Sequence, residues 1–304
     1  MEAAAAARRG GVDLIMKSGD VHIRDPFVLP YEGTYYLYGT RGATCWGEAD
    51  GFDVFLSEDL KNWDGPYEVF HNDGSFWADR EYWAPEVHQY KGAFYMFASF
   101  KKNGVCRGTQ VLKASSPMGP FQPHSDGPLT PRDWECLDGT LYISKTGKPY
   151  MVFCHEWLQV HDGEIWAVPL RDDLKTTDGD PFLLLKASEQ PGANSRDGLN
   201  YVTDGPFLHR LSNGVLVMIW STFGLQGYCE AVAVSDNGDI DGKWSLNPEF
   251  LFEKDGGHGM LFRDFEGHLY ISLHMSNRTP EERPYFCRLQ EKSNGFERCE
   301  AVAL

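Results

Sequence analysis

The chain has 304 residues, 42% of them hydrophobic and 14% aromatic, and carries a formal charge of −16 at pH 7. An acidic surface of that strength repels phosphate backbones and anionic lipids, which excludes nucleic acid and membrane surfaces as partners and leaves neutral ligands. The seven cysteines, odd in number and without tight paired spacing, read as free thiols in a reducing compartment, hence a cytoplasmic protein, rather than as a disulfide framework or a zinc site.

In chain order, residues 1–19 read as a frayed leader. The alanine run there precedes its arginines, the reverse of a signal peptide. No stretch approaches the roughly 18 apolar residues of a membrane span. Residues 20–304 read as a single domain made of one pattern written five times. A polar residue opens a short apolar run, a Gly-containing turn follows, and a second run rich in Tyr, Phe and Leu completes the unit. The openings are Asp25-Pro26-Phe27-Val28, Pro85-Glu86-Val87, Asp138-Gly139-Thr140, Asp204-Gly205-Pro206 and His258-Gly259-Met260.

Units of this size hold four strands, and nowhere does an apolar period of 3.6 residues persist. The pattern predicts an all-β protein, a five-bladed β-propeller with four-stranded antiparallel blades. If each unit opens on the strand lining the axis, the opening residues converge on one mouth. Four of them, Asp25, Glu86, Asp138 and Asp204, are acidic. Carboxylates are costly to bury, and packing several together drives their pKa values apart, as acid–base hydrolysis of a glycosidic bond requires.

The ordered set His22-Ile23-Arg24-Asp25-Pro26-Phe27-Val28, Trp83-Ala84-Pro85-Glu86-Val87, Asp138-Gly139-Thr140-Leu141-Tyr142 and Asp204-Gly205-Pro206-Phe207 resembles the successive blade motifs of glycoside hydrolase family 43. The resemblance implies an inverting glycosidase acting on plant-polysaccharide oligosaccharides, as an exo-acting α-L-arabinofuranosidase or β-D-xylosidase. Asp25 would be the general base, Asp138 the group that tunes and orients the acid, and Asp204 the general acid.

Two positions depart from the family pattern. Asp204 stands where Glu is usual, one methylene shorter, and Glu86 stands where Asp is usual, one methylene longer. Glu86 is therefore a second candidate for the acid role, and Glu156 in His155-Glu156-Trp157 a third. A propeller that binds sugar without cutting it is the alternative reading. Trp83 would line the sugar pocket, with Glu86, Glu156 and Arg283 as further substrate contacts. No cofactor is required, although the resemblance admits a single calcium or sodium ion in the central channel, with His258 as its candidate ligand.

Overall fold

The structure, a computed structural model, describes residues 15–195 and 197–301. Five antiparallel sheets follow one another along the chain, each built from contiguous sequence. Blade I contains β1 (Ile15–Lys17), β2 (Ile23–Tyr31), β3 (Thr34–Arg41), β4 (Gly51–Ser57) and β5 (Asn62–His71). Blade II contains β6 (Arg80–Tyr90), β7 (Ala93–Lys102), β8 (Val105–Ala114) and β9 (Gln122–Pro123). Blade III contains β10 (Cys136–Ile143), β11 (Pro149–His155), β12 (Glu164–Pro169) and β13 (Phe182–Lys186). Blade IV contains β14 (Asp204–Arg210), β15 (Leu216–Gly224), β16 (Gly227–Ser235) and β17 (Trp244–Leu246). Blade V contains β18 (Gly256–Arg263), β19 (Leu269–Met275), β20 (Arg283–Lys292) and β21 (Gly295–Ala301).

The first strands β2, β6, β10, β14 and β18 touch in a closed ring around the axis, as the repeats predict. Blade I differs in having a fifth strand. β1 lies in the stretch read as a leader and pairs with β5, while Ser18, just after it, is buried and accepts a hydrogen bond from Trp63 Nε1 at 3.0 Å. Residues 1–14, the rest of that stretch, lie outside the described residues. No helix among the described residues is long and apolar enough to cross a membrane.

Every inner strand is interrupted at the same point by a bulge, where its pairing with the second strand shifts after Arg24, Trp83, Leu137, Asp204 and Gly257. The next residue in each blade has a left-handed backbone: Asp25 (φ 53), Ala84 (φ 48), Asp138 (φ 57), Gly205 (φ 50) and His258 (φ 54). Such a φ costs a non-glycine residue about 1–2 kcal/mol, so its recurrence here needs compensation from elsewhere in the fold.

A bulge takes two residues out of the ladder, and their buried amides need other partners. The first amide is met by the neighbouring blade. Ala84 N–H donates to Thr40 Oγ1 at 2.8 Å, Asp138 N–H to Ser99 Oγ at 2.8 Å, His258 N–H to Ser221 Oγ at 2.7 Å and Asp25 N–H to His274 Nδ1 at 3.2 Å. The matching residue of blade III is Cys154, a weak acceptor, and the amide of Gly205 turns instead to Asp138 Oδ2 at 3.0 Å. The second bulge residue is Pro26, Pro85 or Pro206 in three blades, which removes the donor altogether. In the other two it is Gly139, donating to Thr109 Oγ1 at 3.1 Å, or Gly259, donating to Glu230 Oε2 at 3.1 Å.

Candidate active site

The left-handed kink turns the side chains of Asp25, Asp138 and His258 toward one another at the mouth. His258 Nδ1 lies 3.2 Å from Asp25 Oδ1 and 3.7 Å from Asp138 Oδ2. Asp204 is offset by one residue, because the kink position of blade IV is Gly205. Its Oδ2 accepts the Tyr228 hydroxyl at 2.9 Å. A Cβ on Gly205 would come within 2.7 Å of the His258 ring, so only glycine lets blades IV and V approach this closely. These residues line a cleft of 310 Å³ together with Arg24, Trp46, Trp83, Arg107, Glu156 and Trp157. A second cavity of 520 Å³ shares Arg24, Trp46, Trp157 and Asp204 with it, so the groove continues past the mouth toward Asn194, Asn200 and Asn277.

The carboxyls sit in unlike fields. Burial pushes Asp25 up, but the His258 imidazolium and the nearby Arg24 guanidinium outweigh it and hold the carboxyl far below its usual range. Asp25 Oδ2 also accepts Thr40 Oγ1–H at 2.6 Å, which favours the ionised form. His274, whose Nδ1 accepts the Asp25 amide, is driven toward the neutral ring by burial.

Asp138 is raised to about 6 by burial and then by Asp25, with His258 and the Gly205 amide opposing. Asp204 is raised to about 7 by burial and by Asp138. His258 is lifted to about 9, because Asp25, Asp138 and Asp204 together outweigh its burial. Near neutrality the mouth therefore holds an ionised Asp25, an imidazolium, and a protonatable Asp204. An anion that accepts a proton and an acid that gives one are the two parts that displacement at an acetal carbon requires.

Of the residues marked in the sequence, Asp25, Asp138, Asp204, Trp83, Glu156 and His258 line the cleft. Glu86 and Arg283 do not. Aligning the blades by acidic residue puts Glu86 level with Asp25, but the bulges put it level with Phe27, Thr140, Phe207 and Met260, two residues past the kink. There it is buried, and its Oε2 meets His88 Nε2 at 2.9 Å. Arg283 is occupied at the edge of blade V, donating to the carbonyls of Gly19, Pro280 and Glu282.

His258 faces the Asp25 and Asp138 carboxylates across the mouth. Among the described residues, the one group of three ligand-bearing side chains close enough to share an ion is Asp264, Glu266 and His268, at the β18–β19 turn. No step below runs through an ion.

Tyr228, Thr40, His274 and Arg107 were not singled out by the sequence. Thr40 and His274 end the second strands of their blades, level with Ser99, Cys154 and Ser221, and only the bulge register reveals that position. Tyr228 and Arg107 come from third strands and carry no repeat signal.

The profile of "Glycosyl hydrolases family 43" matches residues 19–293. A structure described as endo-arabinase from Bacteroides thetaiotaomicron VPI-5482 superposes with a TM-score of 0.86 and 41% identity, covering 92% of this chain and 99% of that one. Among curated proteins, the extracellular exo-α-(1→5)-L-arabinofuranosidase ArbA of Cellvibrio japonicus is 29% identical over 174 residues, 52% of this chain and 46% of its own. The extracellular endo-α-(1→5)-L-arabinanase 1 of Bacillus subtilis is 24% identical over 145 residues, 44% of each chain. The chain thus spans less than half the length of these two relatives. Their names overturn the cytoplasmic location expected from cysteine usage. The physical reason is that Cys45, Cys136, Cys154 and Cys229 are free but buried. Buried thiols serve as small apolar filler and do not report the redox state outside.

Proposed function

The chain belongs to the glycosyl hydrolases family 43, and from that premise we propose that it hydrolyses α-1,5-linked L-arabinofuranosyl chains with inversion of configuration, cutting within the chain. The observation that carries this reading is the unequal field at the mouth. Asp25 is held ionised by His258 and Arg24, while Asp204 is kept protonatable near neutrality by burial and by Asp138. Asp25 takes a proton from water as the water oxygen attacks the anomeric carbon, and Asp204 gives its proton to the departing oxygen. Asp138 touches the Gly205 amide and so fixes the backbone beside the acid. Trp46, Trp83 and Trp157 offer flat apolar faces to sugar rings.

Arabinan is preferred over xyloside because the relatives reported above are named for arabinan or arabinofuranoside linkages. Internal cleavage is preferred over the exo action expected from sequence because the groove runs on past the mouth, with four residues common to both of its cavities. A polymer too large to import also suits an extracellular place of action. A protonatable Asp204 in the field of Asp138, His258 and Asp25 weighs against a binding-only propeller.

The test is digestion of linear α-1,5-arabinan followed by proton NMR. Internal cleavage with inversion releases a ladder of oligosaccharides whose new ends appear first as the β-anomer. Release of monosaccharide alone, or of the α-anomer first, contradicts the proposal.

A further inference from the structure

One pair of cleft residues has no part in the chemistry above. Arg107, on β8, spreads its guanidinium over the Trp83 ring at 3.5 Å. Its Nη2 meets Glu81 Oε2 at 2.6 Å and its Nη1 donates to the Glu81 carbonyl at 3.3 Å. Its Nε is buried and has no hydrogen-bond partner among the described residues. Facing it at 3.7 Å is Glu156 Oε2, likewise buried and likewise without a partner.

A gap of 3.7 Å is too long for a hydrogen bond, and a buried polar atom left unmade costs about 1–3 kcal/mol, more when it is charged. Neither side is placed to close the gap. Glu81 and Trp83 fix the guanidinium, while the Glu156 amide donates to the Glu135 carbonyl at 2.7 Å as the chain enters the short helix Trp157–Val160. What satisfies both atoms is an oxygen that accepts from Nε and donates to Oε2. A hydroxyl does both; a carbonyl or ether oxygen only accepts.

We propose that Arg107 and Glu156 form a clamp that reads one ring hydroxyl of the sugar lying against Trp83, and so sets which pentose unit the cleft accepts. The clamp rests on the glycosidase reading of the mouth but is separate from its acid and base. It favours a neutral sugar carrying a free hydroxyl at that position and rejects the deoxy or O-methyl unit.

The experiment is a cycle of substrate and protein changes. Nitrophenyl glycosides of α-1,5-arabino-oligosaccharides, intact or deoxygenated at one position of a single unit, are assayed with the wild type, Glu156→Gln and Arg107→Lys. Each variant should raise KM for the intact substrate about 10- to 100-fold, the weight of a hydrogen bond to a charged group. One deoxy position should impose a similar rise on the wild type and add little in either variant. Losses that multiply at every position overturn the clamp. So does a Glu156→Gln loss that falls on kcat for arabinan and disappears with the nitrophenyl leaving group, since that marks Glu156 as the proton donor.

If the wild type cleaves neither these glycosides nor linear α-1,5-arabinan, the hydrolase reading fails. Calorimetry of arabino-oligosaccharide binding then decides the clamp by itself: a 10- to 100-fold rise in Kd in both variants upholds it, and an unchanged Kd overturns it.

Discussion

At the scale of single residues, the site depends on keeping one carboxyl charged and another neutral within a single small space. Asp25→Asn removes the proposed acceptor of the water proton, and kcat on arabinan should fall about 10²- to 10⁴-fold. Asp204→Asn should cost a similar factor on arabinan but far less on a nitrophenyl glycoside, whose leaving group needs little proton assistance. The wild-type rate should also fall as pH rises through about 7, where Asp204 loses its proton, and the Asp204→Asn variant should lack that limb. The mouth's acidic composition was legible in the sequence because Asp25, Asp138 and Asp204 all stand in recognisable openings. The partners that set their charge were not. Tyr228 and Thr40 reach the carboxyls across a strand or a bulge, and nothing in their sequence neighbours marks them.

At the scale of the element, the bulge decides which residue faces the axis. The repeat count and the strand pattern were readable from apolar runs and turns. The register was not, because the sequence offered charge as the guide and the backbone uses the kink. Ala84 and Gly205 occupy kinks without any polar side chain, so matching acid to acid slips the alignment forward to Glu86 in one blade and back to Asp204 in another. Gly205→Ala tests the kink directly. Its Cβ would drive into the His258 ring, and stability and kcat should both drop, by more than about 2 kcal/mol in a denaturant melt once positive φ and clash are added. Gly214→Ala is the control: it also has a left-handed φ, of 88°, but meets nothing within 4 Å. It should lose about 1 kcal/mol and leave kcat alone.

Cys154→Ser probes the exception in the same set of contacts. A hydroxyl at the place of Thr40, Ser99 and Ser221 should draw the Gly205 amide away from Asp138. Asp138, losing a donor that favours its anion, should then hold its proton more tightly. A neutral Asp138 no longer raises Asp204, so the alkaline limb of the pH–rate profile should move to lower pH. An unmoved limb would show that the amide stays with Asp138.

At the scale of the whole molecule, no strand of blade V joins the sheet of blade I among the described residues, and side chains bridge the two blades. Arg24 Nη1 meets Glu282 Oε1 at 2.5 Å and its Nη2 donates to Asn277 at 2.8 Å. Ser272 Oγ–H reaches the Pro26 carbonyl at 2.8 Å, and Trp63 stacks on Phe286 with centroids 5.8 Å apart. Trp63→Ala should remove about 3–5 kcal/mol in thermal or denaturant unfolding.

Charge works on stability in the same region. His258 has a folded value near 9, above the ordinary value of about 6.5. Its contribution is fully present below about 6.5 and is lost as pH rises through 9. Asp138 and Asp204 are raised as well, so they also favour the fold at lower pH and weaken it as the pH climbs from their ordinary value of about 4 up to their folded values, beyond which they add no further loss. Thermal midpoints should therefore fall between pH 6 and pH 9, and a midpoint that rises over that range would contradict the assignment of charge at the mouth.

The seam has one more consequence. The guanidinium that fastens the last blade to the first is the same one that borders Asp25, so the two blades cannot part without dragging the proposed proton acceptor out of place. Turnover is then a built-in gauge of whether the circle is shut, and on gentle denaturation catalysis should vanish before the sheets themselves come undone.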